Sequence, residues 1–103
     1  MDEYVIAHPG QPIVNITAYT ARQKVSGYIG DQISHLMGGG EPALVLVDDR
    51  LTWRVPIILT NPSQGIVGTV GSLDVNARTG SLIVPSNLKK QVEARAKEII
   101  AAS

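Results

Sequence analysis

The run Asp74-Val75-Asn76-Ala77-Arg78-Thr79-Gly80 sets side-chain oxygens at alternate positions, the spacing with which a calcium loop surrounds its ion. Arg78 stands where a further oxygen ligand belongs, so the stretch reads as a turn. Asp74 and Asn76 are expected to bond nearby backbone and Gly80 to take a positive φ. Asp48-Asp49 is a pair of adjacent acids. Paired-carboxylate catalysis needs both groups to converge on one substrate, whereas neighbours along a strand point to opposite faces, so this pair reads as a solvated turn. His8 and His35 are the two imidazoles, and neither has a second ligand three or four positions on. His35 falls near the end of a helical stretch, where the dipole favours a partly charged ring. Gly38-Gly39-Gly40 lacks the Lys-Ser or Lys-Thr that completes a phosphate loop, and no serine sits in a Gly-x-Ser-x-Gly setting. The residues that could do chemistry therefore predict no catalytic site, no cofactor and no tight zinc or calcium site.

Composition narrows the classes further. The chain of 103 residues has no cysteine, which excludes disulfides, thiolate metal sites and cysteine nucleophiles. Nine basic side chains balance nine acidic ones. Nucleic-acid binding draws most of its affinity from a basic face, so no nucleic-acid partner is expected. The densest basic stretch, Lys89, Lys90, Arg95 and Lys97, is interrupted by Glu93 and Glu98 and reads as a solvated helix face. The N-terminal residues lack the basic and apolar regions of a signal peptide. Apolar runs such as Ala43–Val47 are too short to span a bilayer. No membrane partner is expected, and a cytoplasmic protein is the default.

Periodicity supplies the elements that would position any site. Residues 1–16 read as an extended arm broken by Pro9 and Pro12. Thr17 is a suitable N-cap, and Ala18, Ala21, Val25, Ile29, Ile33 and Leu36 then recur as one helical stripe. Gly27 and Gly30 inside it are expected to admit a close neighbour, and Gly38-Gly39-Gly40 to stop the helix. Four strands follow: Ala43–Val47, Leu51–Thr60, Ile66–Asn76 and Ser81–Val84. Leu51, Trp53, Val55, Ile57 and Leu59 share one face of the second, and Val67, Thr69, Leu73 and Val75 one face of the third. Their short connectors favour antiparallel hairpins in a meander. Pro56 marks an edge or a bulge. Pro85-Ser86 opens a second helix with the stripe Leu88, Val92, Ala96 and Ile99, and Ile100 beside it. The expected fold is one α+β domain over 1–103: N-terminal arm, helix, four-stranded antiparallel meander, C-terminal helix.

The strand faces that a single helix would leave open carry Leu44, Leu46, Ile58, Ile66 and Val70. A sheet apolar on both faces needs two covers. The C-terminal helix is one source of the second cover, and a second copy of the chain is another. Trp53 is expected in the core, with a partner-binding anchor as the alternative, since Trp is enriched in interface hot spots. With Leu88 and Val92 of the C-terminal stripe, these residues make up the expected interaction surface.

Residues 17–84 also resemble a PepSY-type domain. The resemblance is carried by Thr17-Ala18-Tyr19-Thr20-Ala21 opening a helix, by Leu51-Thr52-Trp53-Arg54-Val55 as a central strand, and by Leu73-Asp74-Val75-Asn76-Ala77-Arg78-Thr79-Gly80-Ser81-Leu82. In the last stretch Asn76 replaces an acidic residue of the family's ending. The resemblance implies a helix packed on a small antiparallel sheet, and binding or inhibition rather than catalysis. The chain also looks like small bacterial proteins of cyanobacterial type. Two functions follow as expectations. One is a non-catalytic, self-associating protein-interaction module. The other is an antitoxin-like or peptidase-inhibitor-like protein whose terminal amphipathic helix docks on a partner enzyme.

Overall fold

The computed structural model describes residues 14–102, so the reading of the arm before residue 14 and of His8 lies outside the described residues. Helix α1 covers Ala18–Gln32, strands β1 Met37–Gly39, β2 Ala43–Val47, β3 Arg50–Asn61, β4 Gly65–Asn76 and β5 Leu82–Ile83, and helix α2 Leu88–Ala102. All strand pairs are antiparallel. The expected α+β meander is present as β2 to β5, with β1 as a fifth strand.

Helix α1 starts where its cap predicts. The Thr17 hydroxyl accepts a bond from the Thr20 amide at 3.0 Å, satisfying one of the helix's free N–H groups. It ends at Gln32 with Ile33 as C-cap, short of the expected glycine stop. The glycines are used otherwise. β1 pairs Met37–Gly39 with Leu59–Ile57 of β3, and α1 lies directly on it. A β-carbon on Gly39 would stand 3.0 Å from the Arg22 carbonyl oxygen and 3.1 Å from Val55, so only glycine admits the helix this closely. The approach is held by bonds: the Gly39 amide donates to Ser26 Oγ at 2.9 Å, and Arg22 Nε donates to the Gly39 carbonyl at 3.0 Å. Gly27 and Gly30, expected to admit a neighbour, face open space. His35 and Leu36 lie beyond the helix and are exposed, so the dipole argument for His35 falls away.

β3 is central, with β4 on one side and both β1 and β2 on the other. Pro56 therefore sits in an interior strand rather than at an edge. Its lack of an N–H is harmless because it lies between the pairings with β2 and β1, where the chain crosses from Gly40 to Pro42. Its carbonyl still accepts from the Gly40 amide at 2.8 Å. The β2–β3 turn is Asp48–Asp49, both at positive φ (50° and 64°), the backbone of a two-residue type I′ hairpin.

The β3–β4 register slips twice. Ile57 faces Gly71 but Ile58 faces Thr69, and Leu59 faces Gly68 but Thr60 faces Ile66. Val70 and Val67 are the extra residues of these two bulges. Each slip changes which β4 residues point inward. Val75 and Leu73 face the core with Trp53 and Val55, as alternation predicts. Val67 packs against the core as well, as expected, whereas Val70 turns inward and Thr69 is exposed beside Ile58, contrary to the simple alternation.

One core joins both helices to one face of the sheet. Ala21, Val25 and Ile29 of α1 and Leu88, Val92 and Ala96 of α2 pack with Val55, Ile57, Leu59, Val70, Leu73 and Val75. α2 also comes close to β4 at a glycine: a β-carbon on Gly68 would stand 3.0 Å from Ile99. The second helix thus shares the covered face with α1, and among the described residues no helix lies on the other face, although Thr52 there is buried.

Candidate interaction surface

Residues paired directly across antiparallel strands point to the same face. Arg54 pairs with Ala43 and Asp74, and Asp74 with Ile83, so these four share the face opposite the helices. Along the same face run Val45, Val47, Pro56, Ile58 and Ile66. Ile66 is 74% exposed and Ile83 50%. Ile58 is half-buried and is not among the residues packed against the core.

The polar feature of this face is a fork. Arg54 donates from Nε to Asp74 Oδ1 and from Nη2 to Asp74 Oδ2, both at 3.0 Å. The Asp74 carboxylate holds the guanidinium even more firmly protonated than usual, first by these hydrogen bonds and then by its charge. Asp74 therefore serves a cross-strand pair and not the local turn for which its sequence position suggested it. The rest of that turn is as expected. Asn76 Oδ1 accepts from the amides of Arg78 and Thr79, at 2.9 and 3.0 Å, and Gly80 has φ 82°. Among the described residues no group of three or more His, Asp or Glu side chains could hold a metal ion.

The sequence-derived surface residues divide into two groups. Leu44 (44% exposed), Leu46 (65% exposed) and Ile66 lie open, and Ile58 is partly so. Val70, Leu88 and Val92 do not belong to a surface: they are in the core, Val70 because of its bulge and the other two because α2 packs on its own sheet. Trp53 packs against the core as well, and its indole N–H donates to the Ile16 carbonyl at 2.6 Å. Leu44 and Leu46 pair with Trp53 and Leu51, so they lie on the helix side of the sheet, at its outer margin. Sequence reasoning missed the Arg54–Asp74 fork and Ile83. Both depend on register, which alternation alone does not supply.

Among the described residues no helix is long and apolar enough to cross a membrane. Comparison with protein-family models, with curated proteins and with solved structures finds no match.

Proposed function

We propose that this chain is a non-catalytic protein-interaction module that associates with itself. The observation that carries the reading is the packing of both helices on one face of the sheet, leaving Leu44, Leu46, Ile58, Ile66 and Ile83 outside the core. Scattered exposed apolar residues are ordinary; several on one bare sheet face and its adjoining margin favour a binding surface. The likeness of residues 17–84 to PepSY-type domains, whose role is binding or inhibition, adds to this reading. The antitoxin-like alternative needs a terminal helix free to dock. Leu88, Val92 and Ala96 of α2 are already used by the chain's own core, which favours the module. Light scattering across micromolar concentrations tests the proposal. A dimer mass is expected, and a monomer throughout that range would overturn it.

A further inference from the structure

The two margins of the sheet differ in how they present unpaired backbone. The outer margin of β4 is interrupted by two bulges, by Gly68 and Gly71, and by α2 leaning against it. Bulges and covering helices are the usual devices that keep an edge from pairing with another chain. β2 has none of them. Its residues Ala43–Val47 read Ala-Leu-Val-Leu-Val, with no lysine, no proline and no bulge, and among the described residues it pairs only with β3.

The hydrogen-bond phase of this edge is fixed. Leu51 of β3 accepts from Ala77 on the β4 side, while Pro56 and Thr60 bond Gly40 and Leu36 on the opposite side. Odd-numbered residues of β3 thus bond towards β4 and even-numbered ones towards β1 and β2. Arg50, Thr52 and Arg54 therefore bond their partners Val47, Val45 and Ala43. The N–H and C=O groups of Leu44 and Leu46 are left pointing outward.

Resting on the self-association proposed above, we infer that β2 is the dimer contact, pairing antiparallel with β2 of a second copy about a twofold axis at Val45. In this register Leu44 lies opposite Leu46 of the partner subunit, and the two exchange both backbone bonds. The same holds in reverse, so every outward group of the edge is satisfied. The neighbouring symmetric registers fail. Centring on Leu44 sets Leu46 against Pro42, which has no N–H to give. Centring on Leu46 sets Leu44 against Asp48, whose φ of 50° has already turned the chain away. The exposed side chains fit the same register. Leu44 and Leu46 meet their counterparts on one face, and Val45 meets its own copy on the other.

The chain contains no cysteine, so a single introduced cysteine can be oxidised only to its own copy. At the axis the pair is a non-hydrogen-bonded one, with α-carbons about 4.5 Å apart, within the span of a disulfide. Val45→Cys is expected to give a disulfide-linked dimer under mild oxidation at micromolar concentration. Leu44→Cys and Leu46→Cys, displaced along the strand from their copies, are expected to cross-link roughly tenfold more slowly. Leu46→Lys is expected to yield a folded monomer. If the protein is a dimer by scattering but cross-links through Ile58→Cys or Ile66→Cys and not Val45→Cys, the edge pairing is wrong and the module reading stands. Pairing of β2 with the strand of another protein, and never with its own copy, would likewise overturn the edge dimer and leave the module. A monomer at every concentration removes both.

Discussion

The two faces of this sheet are built from the same five strands and differ in almost every other respect. On the helix face Val55, Ile57 and Val75 are completely buried. On the other, Ile66 and Ile83 are more than half or half exposed, and the best-defined interaction is a solvent-accessible Arg54–Asp74 fork. The contrast shows where helices can go. α1 and α2 are drawn to the face where glycines remove β-carbons, at Gly39 for α1 and Gly68 for α2. Close packing follows the absence of side chains as much as the presence of apolar ones.

The contrast can be broken by substitution. The largest effect is expected on the helix face, where Ile57→Ala should cost about 2–5 kcal/mol through lost burial and a residual cavity. Ile66→Ala on the bare face should stay within about 0.5 kcal/mol when the protein is monomeric. Denaturant unfolding of the two variants measures the difference, and equal losses would mean that the bare face is covered. An intermediate effect is expected at Gly39→Ala. Its new methyl meets a helix carbonyl and Val55 and should cost roughly 1–3 kcal/mol by pushing α1 outward, seen in the same measurement. A small effect is expected at Arg54→Met, because an exposed pair is screened and half solvated. The loss should shrink as salt is raised, and a loss independent of salt would give the fork a packing role instead.

Much of the architecture was legible in the residues. The Thr17 cap, the stripe Ala21-Val25-Ile29, the alternation of β3 and the stripe Leu88-Val92-Ala96 each follow from a local period or cap, and each appears in the structure. Misreadings cluster where tertiary contact outweighs local preference. Gly38-Gly39-Gly40 has the chemistry of a helix stop, yet it forms and extends a strand because α1 folds back onto it. Val70 has the alternation of an outward residue, yet a bulge turns it inward. Pro56 reads as an edge or a bulge; the strand is interior, a bulge does follow at Ile57/Ile58, and nothing local reveals that β3 changes partners at that point. The open surface was half legible: Leu44, Leu46, Ile58 and Ile66 were identifiable as apolar residues without a cover, while Ile83 and the fork required the register.

The segment just before α1 carries a consequence for how the chain reaches this fold. Asn15 and Ile16 donate their amides to the Ala77 carbonyl, and the Asn15 side chain donates to the Arg78 carbonyl across 63 positions of sequence. The Trp53 indole reaches back 37 positions to Ile16. The Asp48–Asp49 and Asn61–Gly65 connections, by contrast, join strands that are neighbours in the chain. Loop-closure entropy rises with the length of chain enclosed, so the hairpins can form before the segment at 15–16 has anything to bind. The β4–β5 turn must already be shaped when that segment arrives. Its docking is therefore expected late in folding, although the segment is made before the strands it binds.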